Sequence, residues 1–197
     1  FQQERPRSLY VEAVVLVTSA LTWWAICLSP EGELPLLRMT DTLTLTLHLD
    51  GMSKVFAGLV SFLWPLASLY GFEYMRHENR PNAFFAYYTK SYGVTLAVAL
   101  AGNLFSQYVF YECLTMVTLP LVTHKKDVQS IRAGRKYLIF SISGAALAFI
   151  ALIFIMHYGV STDFVLGGVL AQFIEPYLPD LRARISNISS FETDASY

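Results

Sequence analysis

Apolar residues in this chain run in long blocks, without the strict alternation of a half-buried strand or the stripe of a surface helix. A bilayer span needs about 20 mostly apolar residues, and the first block, Leu9 to Leu28, meets that length. Glu12 lies near one of its ends and Trp23 and Trp24 near the other, where paired indoles suit a membrane interface. A polar loop is expected from Ser29, followed by a short extended stretch from Thr42 to Leu49, where threonine and leucine alternate. The second block, Met52 to Phe72, contains Pro65, which a membrane helix tolerates when neighbours satisfy the freed carbonyl. Charges return between Glu73 and Asn82. The third block covers Ala83 to Ala101, and a turn at Gly102–Asn103 leads into the fourth, Leu104 to Thr123. A basic loop from His124 to Lys136 precedes the fifth and most apolar block, Tyr137 to Tyr158.

These blocks predict an all-α integral membrane fold with about five transmembrane helices, over 9–28, 52–72, 83–101, 104–123 and 137–158. The stretch 159–178 is too short to span after Tyr158 and is broken by Gly167, Gly168 and Pro176. It is expected to be re-entrant or interfacial, and 179–197 to be a disordered polar tail. Because the sequence opens on Phe1, without Met, its true N-terminus is expected to lie upstream.

Composition sharpens this picture. Of 197 residues, 54% are hydrophobic and 15% charged, against about 25% charged in soluble domains. A formal net charge of −1 gives no electrostatic reason to expect nucleic acid as a partner. The two cysteines, Cys27 and Cys113, sit inside apolar blocks, fit no zinc or redox spacing, and read as small packing residues. No cleavable signal, phosphate-binding glycine loop, metal cluster or catalytic triad is found, so neither a cofactor nor a metal is expected. Five spans place nine basic residues on the side of Arg5, Arg76 and the His124–Lys136 loop. Four, Arg38, Lys54, Arg182 and Arg184, fall on the other. That asymmetry predicts a cytoplasmic N-terminus in a multi-pass cell membrane protein.

Glu112 stands out chemically. It is the ninth of twenty residues in the fourth block, near the bilayer midplane, where a carboxylate costs about 2.5 to 3.5 kcal/mol on insertion scales. Desolvation at that depth favours the protonated form, which suits a proton relay. A protonated Glu that merely bonds a neighbouring helix is the competing reading. Tyr108 and Thr115 share its helix face and could bond its carboxyl, and Pro120 lies two turns onward. Lys90 is the other intramembrane charge; it either snorkels to the interface or pairs with Glu112. His124, of the residue type that titrates near neutral pH, and Lys136, at the mouth of the fifth block, are weaker relay candidates with interfacial alternatives. Glu12 and Lys54 read as interfacial. Gly93, Ala97 and Ala101, like Ser141, Ala145 and Ala148, form small-residue stripes that let membrane helices pack closely. Asn187–Ser189 matches a glycosylation sequon by a pattern that recurs by chance.

The order of motifs resembles the antiporter-like membrane subunits of respiratory complex I, membrane-bound hydrogenases and Mrp-type cation/proton antiporters. The resemblance rests on LDGMSKVF (Leu49 to Phe56), EYM (Glu73 to Met75), FFAYYTKSYG (Phe84 to Gly93) and GNLFSQYVFYE (Gly102 to Glu112). It continues through TLPLVTH (Thr118 to His124), AGRKYLIFSISGA (Ala133 to Ala145) and TDFVLGGVL (Thr162 to Leu170). It implies that Glu112 is a proton-channel residue, that the fold is part of a larger inverted-repeat transporter, and that the chain begins after the first helix and stops after the sixth. A later lysine of that family has no counterpart here, and Gly102 stands where many relatives carry Asp. The resemblance implies other membrane subunits as partners and protons, with sodium as the alternative, as the transported ion. Redox chemistry would then lie in partner subunits. Two rival classes remain: a structural or assembly subunit without transport activity, and a membrane-embedded enzyme, which the missing catalytic constellation disfavours.

Overall fold

A computed structural model describes residues 4–40, 43–77, 81–159, 161–164 and 179, and for residues 4–7 and 77 the backbone alone. The expected re-entrant stretch beyond Phe164, the polar tail and the sequon therefore fall almost wholly outside the described residues. Five helices occupy the five apolar blocks: α1 (Glu4–Leu28), α2 (Gly51–Tyr74), α3 (Pro81–Ala99), α4 (Leu104–Val122) and α5 (Val128–Tyr158). Successive helices run up and down. Trp23 and Ile26 near the end of α1 meet Gly58 near the start of α2, Phe72 of α2 packs on Phe85 of α3, and Phe84 of α3 packs on His124 just past α4.

Among the described residues, three helices are long and apolar enough to cross a membrane: α1 over Ser8–Leu28, α2, and α5. The nineteen-residue α3 and α4 match the length but carry more polar side chains, among them Tyr87, Tyr88, Lys90, Tyr92, Gln107, Tyr108 and Glu112. Polar residues in a membrane bundle belong on faces turned towards other helices, and α3 packs most extensively against α4. The buried core sits among α1, α2 and α3, where Val11, Val15, Ala57, Phe85, Tyr92 and Leu96 pack with Met75 of a short 3-10 turn (Met75–His77). Large apolar side chains of α5, such as Ile139, Phe140 and Leu147, are exposed and suit lipid or neighbouring helices.

The chain departs from an all-helical fold after α1. Where a polar loop was expected, an antiparallel hairpin forms from β1 (Gly32–Arg38) and β2 (Thr44–Leu49), with an irregularity in register between Pro35 and Leu37. β2 corresponds to the alternating Thr–Leu stretch. β1 lacks alternation and contains a proline, which is tolerated because β1 is an edge strand.

The hairpin is tied to the turn between α3 and α4 by a polar knot. Asn103 caps α4, its side chain accepting the Ser106 N–H at 2.7 Å, while its Nδ2 donates to the Thr44 carbonyl at 2.9 Å and to Thr46 Oγ1 at 3.1 Å. The Thr46 N–H donates to Ser106 Oγ at 2.8 Å, the Gly102 N–H to the Thr46 carbonyl at 2.9 Å, and the His48 N–H to the Leu100 carbonyl at 2.7 Å. Asn103, Ser106 and Thr46 are all buried, so each group must find its partner within the protein. Gly102 allows the close approach: a Cβ there would stand 2.7 Å from Thr46 Oγ1 and 3.0 Å from His48 Cβ.

Asp50 caps α2 in a reciprocal box, accepting from the Ser53 N–H at 2.7 Å while the Asp50 N–H donates to Ser53 Oγ at 3.2 Å. The side-chain and backbone bonds from Ser53 hold the Asp50 carboxyl below the usual carboxylate range. Lys54, expected at the interface, pairs with Glu31 at 3.8 Å in the connection to β1.

These contacts are open to two tests. Gly102→Ala should lower the thermal midpoint in detergent through overpacking worth about 1 to 3 kcal/mol, whereas Gly93→Ala, at an open position, should not. The Asp50 cap, with its lowered folded-state value, is fully stabilising above the ordinary carboxylate range and lost as pH falls through that lowered value. Asp50→Ala should cost about 1 kcal/mol at neutral pH, while Asp50→Asn should retain the cap and remove its acid sensitivity, both read from melting curves across pH.

Candidate functional site

Glu112 occupies the ninth position of the nineteen-residue α4, which places it about 13 Å along the helix from the Asn103 cap. The α4–α5 interface is ordered around it. On one side the Tyr108 ring packs on Phe149 of α5 with centroids 5.7 Å apart. On the other, Thr118 Oγ1 and the Tyr137 hydroxyl of α5 are hydrogen-bonded at 2.7 Å. Beyond that, Gly134 of α5 lies so close to α4 that a Cβ would stand 2.3 Å from Thr123 Cγ2. The two helices are thus antiparallel, with Glu112 between an aromatic contact and a hydroxyl pair.

Its Oε1 atom is buried and makes no hydrogen bond among the described residues. The expected helix-face partners are occupied elsewhere. Thr115 Oγ1 donates to the Tyr111 carbonyl at 3.3 Å, and Tyr108 is turned against Phe149, although its hydroxyl remains within electrostatic reach of the Glu112 carboxylate. A buried acceptor without a donor is rare in folded proteins and costs about 1 to 3 kcal/mol.

The other candidates lie apart from Glu112. Lys90 is exposed, with its ammonium 5.6 Å from the centre of the Tyr87 ring on its own helix, and forms no ion pair with Glu112 among the described residues. His124 follows the end of α4 and packs edge-to-face on Phe84, 5.5 Å between centroids; ten residues of helix, about 15 Å, separate Glu112 from Val122 before it. Lys136 is exposed on α5, near the same end of the bundle. Of the small-residue stripes, Ala145 is buried, whereas Gly93 faces open space. Among the described residues no group of three or more His, Cys, Asp or Glu side chains could hold a metal ion, and Cys27 and Cys113 are free thiols on exposed positions.

One feature was not expected from the sequence. Glu12 on α1 is joined to Ser68 on α2 by a hydrogen bond that Ser68 donates. The two residues are 56 apart, and no periodicity along either helix signals that they meet.

Known proteins give this geometry its context. The chain is 32% identical over 114 residues to the probable A/B subunit of a K(+)/H(+) antiporter of Rhizobium meliloti, covering 57% of this chain and 11% of that protein. It is 29% identical over 122 residues to hydrogenase-4 component B of Escherichia coli, covering 61% of this chain and 18% of that protein. The match to the A1 subunit of a Na(+)/H(+) antiporter of Staphylococcus aureus is 29% over 99 residues, covering 50% and 12%. The chain is a relative of the antiporter-like membrane subunits. No model of a known protein family matches it. The shared segments amount to between 11% and 18% of these relatives' length. Together with its apolar helices, this kinship makes the chain a multi-pass membrane protein.

An unpartnered buried carboxyl oxygen is a stability cost, so Glu112→Leu should raise the thermal midpoint, by a contribution of about 1 to 3 kcal/mol. A lowered midpoint would mean that the carboxyl has a stabilising partner after all.

Proposed function

We propose that this chain forms part of a membrane subunit of a proton- or cation-translocating complex and that Glu112 takes up and releases a proton within the membrane. The observation that carries the reading is the buried, unpartnered Oε1 of Glu112 midway along α4. A carboxyl group in that position is most stable neutral, and ionisation demands that a proton leave along a polar route or that a compensating charge arrive. The antiporter and hydrogenase names of the relatives support the same assignment.

In this reading the Thr118–Tyr137 hydroxyl pair lies between Glu112 and the basic end of the bundle, where His124, Lys125, Lys126 and Lys136 gather. His124 is then the proton acceptor or donor at that end, and Lys136 tunes its field. Lys90 takes the place of a charge reaching the interface. The excess of basic residues at this end favours a cytoplasmic location for it and for α1's N-terminus. Other membrane subunits complete the pathway, and any redox chemistry belongs to them.

Infrared titration of the protein in lipid, with Glu112→Gln as reference, tests the assignment. A carboxylic-acid band that titrates reversibly near neutral pH and is absent from the variant is expected. If that band persists into strongly alkaline solution, or behaves as a solvent-exposed carboxylate, Glu112 is a packing residue and the structural-subunit reading takes its place.

A further inference from the structure

Between Glu112 and its own C-terminal end, α4 carries a file of hydroxyls. Thr115 and Thr118 follow Glu112 at three-residue steps. Each step turns about 60° around the helix and rises about 4.5 Å, so the file winds from Glu112 onto the face that meets α5. Thr115 is buried and Thr118 half-buried. Thr123 caps the end of α4, and His124 follows it.

Thr115 and Thr123 keep their hydroxyls against their own helix, donating to the Tyr111 carbonyl at 3.3 Å and the Leu119 carbonyl at 3.1 Å. Thr118 differs because a second helix reaches it. Its Oγ1 lies 2.8 Å from the Leu114 carbonyl and 2.7 Å from the Tyr137 hydroxyl of α5. Two hydroxyls in contact are each donor and acceptor, so the pair can be ordered either way. In one order Tyr137 donates to Thr118, and Thr118 donates to the Leu114 carbonyl. In the other Thr118 donates to Tyr137, and the phenolic hydrogen points onward. Exchange between the two orders needs only rotation about C–O bonds and no displacement of either helix. A group that passes protons repeatedly must reset in this way.

Packing holds the pair in register. One turn from Tyr137 along α5, Gly134 lies so close to Thr123 that a Cβ would stand 2.3 Å from its Cγ2. About three turns in the other direction, Phe149 packs on Tyr108, with 5.7 Å between centroids. Tyr137 thus meets the file on the stretch of α4 that separates Glu112 from His124.

We propose that Tyr137 is a proton-relay residue whose hydroxyl, paired with Thr118, carries protons between Glu112 and His124. The inference rests on the reading of Glu112 as the protonated group. Roughly 9 Å along the helix axis separates residues 112 and 118, so water takes the proton that leaves the Glu112 carboxyl. That water gives a proton to Thr118 Oγ1, Thr118 passes its own hydrogen to Tyr137, and Tyr137 releases its hydrogen through water to the His124 imidazole. Glu112 is left as a carboxylate and His124 as an imidazolium. Every hydroxyl and water recovers one hydrogen for the one it gives.

The test follows the Glu112 carboxylic-acid band by time-resolved infrared spectroscopy after a pH jump, with the protein in lipid nanodiscs. Tyr137→Phe keeps the ring and removes the oxygen; it is expected to slow relaxation of the band by about tenfold or more while the titration midpoint stays in place. Thr118→Val is expected to slow it likewise, and Thr118→Ser, which restores a hydroxyl, to recover the native rate. Tyr111→Phe, at an exposed position of α4, is expected to leave the rate unchanged. An unslowed Tyr137→Phe overturns the relay, as does a shifted midpoint without a slowed rate, which marks a packing role. Thr118→Val decides the matter should Tyr137→Phe fail to fold. Normal titration at native speed in these variants overturns the relay alone, whereas a native protein without a titrating Glu112 band overturns the Glu112 reading and the relay with it.

Discussion

Asn103 is the residue on which the arrangement of the bundle turns. A single amide side chain ends one helix pair's connection, starts α4 and holds β2 against the bundle, through one accepted and two donated hydrogen bonds. Each such bond contributes about 1 kcal/mol net, but leaving a buried member unmade costs more. The knot is therefore close to all-or-none: Thr46, Ser106 and Asn103 are buried together and satisfy one another. Since α4 begins at this cap, the axial position of every residue in it, Glu112 included, is fixed relative to α3 and the hairpin.

Hydrogen-bond satisfaction governs the helices as well. Thr18, Thr22, Thr89, Thr95, Thr118 and Thr123 all return their hydroxyl protons to the carbonyl four residues back, as serines and threonines do where no water is at hand. Beside Pro65 the carbonyls of Trp64 and Pro65 receive the Tyr88 and Ser68 hydroxyls, while the carbonyl that proline's missing N–H leaves over is that of Ser61, one turn earlier. Against that background of pairing, the Oε1 of Glu112 and the Nε1 of Trp64, without partners among the described residues, carry information. Loosely packed surfaces leave polar atoms wet; these two are buried.

How much of this could be read from the sequence depends on the range of the interactions. Helix positions follow from block length and composition, which are local, and β2 follows from alternation of Thr and Leu. β1 was hidden because Gly32–Arg38 has neither alternation nor β-branched residues, and it exists by pairing with β2. α5 begins at Val128, nine residues before the apolar block, because Asp127 caps it with a bond to the Ser130 N–H at 2.7 Å and its first turns carry Arg132, Arg135 and Lys136. Charge there masks a helix that hydropathy alone starts too late. The third block's last two residues leave α3 at Ala99, since Ala101 bridges to Leu47 of the hairpin. Glu112 was legible because a charge in an apolar block is conspicuous on its own. Its empty surroundings were not, because Thr115 and Tyr108 share its face yet are engaged elsewhere.

Glu12 shows the opposite case. On the sequence it looks interfacial, and its meaning comes from Ser68, a residue on another helix whose one hydrogen faces two acceptors. Glu112 and Glu12 are the same side chain on helices of different apolarity, and one has an oxygen with no hydrogen-bond partner among the described residues while the other accepts from Ser68. The difference lies in which helix packs opposite. α4 presents Glu112 at a level of its α5 contact flanked by a ring pair and a hydroxyl pair, whereas α1 presents Glu12 to the Ser68 hydroxyl of α2. A charge's place in the sequence thus names the candidate, and the donor that a second helix brings to it decides how its oxygens are satisfied.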